Sequence, residues 1–221
     1  MGYRLDFGAL LQYLSLFLQG TAVTVGLTAV AATLGIALSI GGAAAGGRLA
    51  WARALIGAYV ELIRNTPFIV QMFFVFFGLP SLGLRLSAMA AAVLAMTINL
   101  TAYAIEIVRA GIEAVPKGQS ETGLALGLRP WLVFGFIVLP QALANVYPAL
   151  VSQIIITMLE SAVVSQIAVV DLTHVADFIQ SRNFRAFETY LVVTVIYLLL
   201  TILLRRLLGR AGRRLFAGRV R

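Results

Sequence analysis

From Phe134 to Val170 the chain runs 37 residues with a single charge, Glu160. A straight helix crosses a bilayer in about 17–25 residues. The stretch is too long for one crossing and too short for two joined by a loop. It predicts one span followed by a short re-entrant or half-length helix, with a break near Glu160, Ser161 and Ala162. Irregular backbone at membrane depth persists only where it is buried in protein or lines a cavity, since no water is there to satisfy it. In transporters such breaks mark the binding region.

Four further apolar runs flank this segment. Thr21 to Ala45 carries no charge over 25 residues, too long for a signal-peptide core. The expected spans cover about 21–45, 55–79, 86–108, 136–160 and 190–208, in one transmembrane domain over 1–221. Residues 6–19 are apolar but short and read as an interfacial helix leading into the first span. Thr24, Thr28, Gly35, Gly42 and Gly46 give that span small positions for close helix packing. With 61% hydrophobic and 12% charged residues, mean hydropathy is +0.96. That balance excludes an ordinary soluble domain, which is about a quarter charged. The fold class is therefore an all-α membrane protein with five transmembrane helices.

The cations fix the expected orientation. Twelve of the 17 Lys and Arg residues fall on one side: Arg48, Arg53, Arg109, Lys117, Arg129 and seven arginines from Arg205 to Arg221. Four fall on the other, Arg4, Arg85, Arg182 and Arg185, and Arg64 is left inside a span. Basic loops stay on the cytoplasmic side, so the N-terminus is expected outside and the C-terminus in the cytoplasm. A six-span arrangement would separate the basic tail from the Arg48/Arg53 loop and is rejected. The arginine-rich tail reads as a topology anchor rather than a nucleic-acid patch.

Much chemistry is excluded. There is no cysteine and one histidine, His174, so no thiolate or His-rich metal site is expected. Gly42 to Gly47 has Walker-like glycine spacing but continues Arg48-Leu49, without the lysine and hydroxyl that contact phosphate and Mg²⁺. The chain is expected to hydrolyse nothing and to hold no cofactor or metal.

The loop RAGIEAVPKGQSETGLALGLRPW, from Arg109 to Trp131, carries the most specific signal. Pro116 and Gly118 are expected to stop the preceding helix. Residues 119–128 read as a short helix ending at Gly127, with Leu124, Ala125 and Leu128 packed on one side and Glu121 in the first turn. Glu121-Thr122-Gly123, then Gly127, then Ile137-Val138-Leu139-Pro140 have the spacing of the EAA loop of ABC importer membrane subunits. Arg109 to Gln119, Leu139-Pro140-Gln141-Ala142-Leu143, Tyr59 to Pro67 with Gln71 and Phe73-Phe74, and Thr21, Thr24 and Thr28 extend the likeness over nearly the whole chain. The sequence thus resembles the polar amino-acid permeases, binding-protein-dependent transport components of the inner membrane.

The resemblance implies a type I ABC importer transmembrane fold in the bacterial cytoplasmic (inner) membrane. It implies a second permease subunit, the same or homologous, and a cytoplasmic ABC ATPase dimer that holds ATP and Mg²⁺. An extracytoplasmic substrate-binding protein would deliver a polar amino acid, a basic one included. Gln119, Glu121, Thr122, Gly123, Leu126 and Gly127 would then form the ATPase-coupling helix. Glu121 offers a carboxylate for a charge-assisted contact.

Polar residues inside spans are costly and so mark candidate binding positions. These are Arg64, Gln71, Asn99 and Glu160, with Ser161 and Ser165 as hydroxyls. Each has a plainer reading: Arg64 paired with Glu61, Asn99 as interhelical glue, Gln71 in packing, Glu160 as a cap. The family commonly has a basic residue beside this acid, and here Leu159 replaces it. Glu160 therefore needs a cation from Arg64, another residue or the substrate. Arg64 or Asn99 would face the carboxylate of an amino acid whose positive group meets Glu160. Two competing classes are a secondary transporter or channel subunit using Glu160 and Glu106, and a membrane-embedded enzyme using Asp171 and His174. The second lacks a further catalytic pair at one depth. On the outer side, Asp171, His174, Asp177, Arg182 and Arg185 are candidates to meet the binding protein.

Overall fold

The computed structural model describes residues 4–48 and 50–217, and all regular structure among them is helical. A 3-10 turn, Gly8–Tyr13, leads directly into α1, Leu14–Arg48. The separate interfacial helix expected over 6–19 is not formed, because neither proline nor charge interrupts the chain between Leu14 and Gly47. Gly20 does not break the helix either. Its missing side chain admits the backbone of residues 171–172: a Cβ there would come within 2.9 Å of the Asp171 carbonyl.

The second apolar run is not a straight span over 55–79. It forms α2, Ala50–Arg64, and α3, Phe68–Ser81, bent by 109°. Pro67 forces the change, since the residue before a proline is driven out of the helical region. The freed carbonyls at the end of α2 are taken by side chains. Asn65 Nδ2 donates to Glu61 O at 2.7 Å and Thr66 Oγ1 to Leu62 O at 2.9 Å.

α4, Ala88–Glu113, starts at the Ser87 cap and runs five residues past its expected end. Packing on both sides depends on small residues. A Cβ on Gly35 would meet the Leu100 side chain at 3.0 Å, and one on Gly111 would meet the Ala142 carbonyl at 2.7 Å. α4 is thereby the central helix, gripped between α1 and the next long helix. α5, Lys117–Ala125, is the short helix expected at 119–128. Gly118 lies inside it rather than stopping its predecessor, and Pro116 is its N-cap.

α6 runs from Pro130 to Ile167. Its α-helical winding ends at Glu160, at the expected interruption near Glu160–Ala162. The chain does not turn aside there, since the stretch holds neither glycine nor proline after Pro148. It continues in 3-10 geometry over Ser161–Ile167 and ends at Ala168, in the left-handed region at φ 60°. The expected half-length helix follows as α7, Leu172–Asn183, capped by Asp171. α8, Ala186–Leu215, closes the chain. Four helices are long and apolar enough to cross a membrane, and five if the bent α2–α3 pair is one span.

Two helices carry π-helical turns that the sequence reading missed: Phe74–Gly78 in α3 and Val133–Val138 in α6. Each lies just ahead of a proline, Pro80 and Pro140. A proline ring clashes with the carbonyl four residues earlier, here Phe76 and Phe136, in the middle of each π turn. Widening the helix by one residue relieves the clash without a kink.

The ends sort the cations as the sequence count does. Arg185 holds the N-terminal segment through Asp6 (3.5 Å) and the Arg4 carbonyl (3.3 Å). Tyr147, in the first half of α6, donates to Leu208 O at 2.8 Å and sets the arginine-rich end of α8 beside the α5 end of the bundle. Arg219 and Arg221 lie outside the described residues.

Candidate functional site

Two regions bear on function: the exposed helix α5 and the polar positions at the α2–α3 bend and late in α6. α5 is seated by a glycine. A Cβ on Gly123 would come within 2.9 Å of Ile137 and 3.0 Å of Val133 on the π turn of α6. The helix ends in a Schellman arrangement: Gly127 N donates to Leu124 O (2.9 Å), Leu128 N to Gly123 O (3.2 Å), and Gly127 adopts φ 78°. Only glycine takes that φ readily.

The expected apolar underside is absent. Leu124, Ala125 and Leu128 are exposed, Leu126 is 76% exposed, and Gly123 alone is buried within α5. The helix meets its own subunit most closely at Gly123, with Ser120 part-buried and its leucines exposed. Gln119, Glu121 and Thr122 are exposed on the same short helix. A rigid helix pinned at one point, with uncovered leucines and a free carboxylate, is suited to entering a groove in another protein.

At the bend, Gln71 Nε2 lies within hydrogen-bonding distance of Ile63 O (2.7 Å), Thr66 O (2.9 Å) and Thr66 Oγ1 (2.9 Å). Its Oε1 accepts from Asn99 Nδ2 at 3.0 Å. Both residues are buried, and the pair ties the bend to α4. Asn99 Oδ1 has no hydrogen-bond partner among the described residues. Arg64 does not pair with Glu61. Its guanidinium reaches Glu106 on α4 at 3.4 Å and lies over the Tyr103 ring. Glu106 also binds Arg109 (3.0 Å), which binds Glu113 (2.8 Å). This alternating chain was legible only in part: the i,i+3 and i,i+4 spacing of Glu106, Arg109 and Glu113 is local, while Arg64 joins across helices.

Glu160 stands apart from these groups. It is part-buried on α6, and its carboxylate makes no hydrogen bond or ion pair among the described residues. The Ser161 and Ser165 hydroxyls donate to their own helix, to Met158 O (2.7 Å) and Ala162 O (2.9 Å). The structure thus joins Gln71 to Asn99, gives Arg64 to Glu106, and leaves Glu160 without a protein cation.

A third polar cluster surrounds Asp171, which was expected to face a binding protein but is instead buried as the cap of α7. Asp171, fully buried, accepts from His174 N at 2.9 Å, and Tyr197 on α8 lies 3.4 Å from its other oxygen. Leu172 N donates to Thr24 Oγ1 on α1 at 3.2 Å. α7 is thus bonded to α1 and α8 at its first turn. Burial raises the Asp171 carboxyl to about 6, against the pull of the His174 and Thr173 amides. Among the described residues no group of three or more His, Asp or Glu could hold a metal.

A bundle of crossing helices with a detached, partner-ready helix at one end defines a membrane component of a transport machine. The family model for the inner membrane component of binding-protein-dependent transport systems matches residues 35–217, and the chain belongs to that family. The glutamine transport system permease protein GlnP of Escherichia coli is 34% identical, over 96% of this chain and 98% of that protein. The arginine transport system permease protein ArtQ of Bacillus subtilis is also 34% identical, over 96% and 97%. Among solved structures, an amino acid ABC transporter with histidines is 37% identical with a TM-score of 0.86, covering 96% of this chain and all of that one. The MetNI methionine ABC transporter, at 20% identity and a TM-score of 0.75 over 96% and 99%, shares the fold. This chain is accordingly a multi-pass inner-membrane subunit of a transport system.

Proposed function

We propose that this subunit carries an amino acid with a positive group inward through the membrane, driven by ATP hydrolysis on separate cytoplasmic ATPase chains. A second permease and an extracytoplasmic binding protein complete the assembly in this reading. Support comes from relatives named for glutamine and arginine transport. Support for the coupling role comes from α5, which is held at Gly123 and offers its leucines and Glu121 outward. Closure of the ATPases would move α5 as one piece, and α6 would receive the motion through Val133 and Ile137.

The observation that carries the substrate reading is Glu160, a part-buried carboxylate with no partner among the described residues. An unpaired charge at membrane depth is costly, and a cationic group of the cargo removes that cost. Arg64, shared between Glu106 and the Tyr103 face, keeps a guanidinium that is partly exposed and able to meet a carboxylate. Asn99 contributes its free acceptor and Gln71 holds it in place. Ser161 and Ser165, bonded to their own helix, line the same stretch of α6. In proteoliposomes holding the complete transporter, Glu160→Gln should abolish or redirect substrate-stimulated ATP hydrolysis. Unchanged transport and selectivity would overturn the assignment.

The N-terminus lies outside and the C-terminus inside in this reading, from the cation imbalance. The chain has no cysteine, so single cysteines at Leu5 and Leu215 can be labelled cleanly. Labelling of intact cells by an impermeant maleimide should reach position 5 alone. The reverse pattern would invert the topology and place α5 on the wrong side for an ATPase.

A further inference from the structure

α8 touches the rest of the bundle lightly. In its most apolar window 6% is buried, against 61% for α4. Toward its C-terminal end a groove of about 860 Å³ lies alongside its contact with α6. The groove is lined by apolar Tyr147, Pro148 and Val151 and by the cationic Arg205 and Arg213. A separate apolar crevice between α1, α6 and α8 is bordered by Leu204, Leu207 and Leu208.

The groove is built rather than incidental. Gly212 lets α8 lie against the Tyr147 ring, where a Cβ would overlap the ring at 2.2 Å. Tyr147 is fixed by its bond to Leu208 O and by the Phe216 ring at 5.3 Å. Arg205, Gly209 and Arg213 follow at steps of four residues, so they share one face, with the arginines about 12 Å apart along the axis. The Arg213 guanidinium lies back over Gly209, with Nη1 3.8 Å from where a methyl there would sit, and so leans toward Arg205. Neither arginine has an acidic partner among the described residues, nor do Arg206, Arg210 and Arg214.

We propose that this groove binds one anionic phospholipid of the adjoining leaflet, with its phosphodiester between Arg205 and Arg213 and an acyl chain over the apolar floor of Tyr147, Pro148 and Val151. Charge complementarity selects this occupant. A neutral lipid would leave two guanidinium groups unanswered, and a free anion would leave the apolar floor uncovered. Basic pockets between helices at a membrane surface are suited to anionic headgroups, each arginine adding roughly fivefold to affinity. The occupied groove would splint α8 to α6, the helix on which α5 is seated. The inference is independent of which cargo is carried.

The test is native mass spectrometry of the transporter complex containing the full chain, delipidated and titrated with phosphatidylglycerol or phosphatidylcholine. Wild type should retain phosphatidylglycerol at least tenfold more tightly. The Arg205→Gln/Arg213→Gln pair should lose roughly twentyfold or more of that affinity. Arg214→Gln, outside the groove, should change it less than threefold, and the Arg205→Lys/Arg213→Lys pair should restore most binding, showing that the lost affinity is not misfolding. Equal retention of the two lipids, or unchanged binding in the glutamine pair, overturns the proposal. Displacement of bound phosphatidylglycerol by millimolar inorganic phosphate also overturns it, assigning a free-anion site instead.

Discussion

Asn99 donates its side-chain amide to Gln71 across 3.0 Å, and Gln71 in turn donates to backbone carbonyls at the bend between α2 and α3. One buried amide pair therefore sets the angle at which the second apolar run turns. Gln71→Ala should destabilise the protein by roughly 1–3 kcal/mol, because it strands two buried carbonyls. Asn99→Ala should cost less, about 0.6–1.7 kcal/mol, the range of single interhelical bonds in membranes. Thermal unfolding in detergent checks the ranking; equal costs would mean that Gln71 does not organise the bend.

Gly123→Val should disconnect the coupling helix while the bundle stays folded. Its Cβ would press on Ile137 and Val133, so α5 must lift away from α6. The expected readout in the complete transporter is ATP hydrolysis that no longer responds to loaded binding protein, with unfolding temperature nearly unchanged. Gly123→Ala should give a partial form of the same defect.

Arg64→Gln should change stability by less than about 1 kcal/mol, because the pair is partly exposed and Glu106 keeps Arg109. A transport defect without a stability defect would then point to the cargo. Glu106→Gln removes the acceptor shared by two arginines and should be the more damaging change.

The Asp171 carboxyl, raised by burial from 3.8 to about 6, ties stability to pH. Its charged form is the disfavoured one in the folded protein. The carboxyl therefore favours the fold most when protonated in both states, below about 4, and that advantage is lost as pH rises through 6. Asp171→Asn keeps an acceptor for the His174 amide and removes the titration. The difference in stability between wild type and Asp171→Asn should shift between pH 4 and 6 and be flat above 7. A flat difference throughout would mean the carboxyl is solvated.

What could be read from the sequence followed from length, charge and spacing. The uncharged runs located α1, α4, α6 and α8, and the loop motif located α5 to within three residues at either end. The bend at Pro67 was hidden because apolar composition continues on both sides, so hydropathy alone sees one run. The α-helical winding of α6 ends at Glu160, where the expected span 136–160 ends, but the sequence carried no sign that the chain would continue in 3-10 geometry to Ile167 rather than turn aside. Leu124 and Leu128 were assigned inward by their apolar character. Nothing local reveals that α5 is seated chiefly through one glycine and that its leucines stay exposed. The plainer reading of Arg64 gave it the nearest acid in sequence, Glu61, whereas its partner is 42 residues on.

The π turn beneath α5 has a geometric consequence. A surplus residue in a helix advances everything beyond it by about 100° around the axis. Val133 and Ile137, four residues apart, face Gly123 together as they would in regular winding. The surplus instead sets how the rest of α6, from Leu139 onward, is turned relative to that seat. Removing a single residue from the turn would rotate the whole upper length of α6, Glu160 included, by about 100° against the foot on which α5 rests.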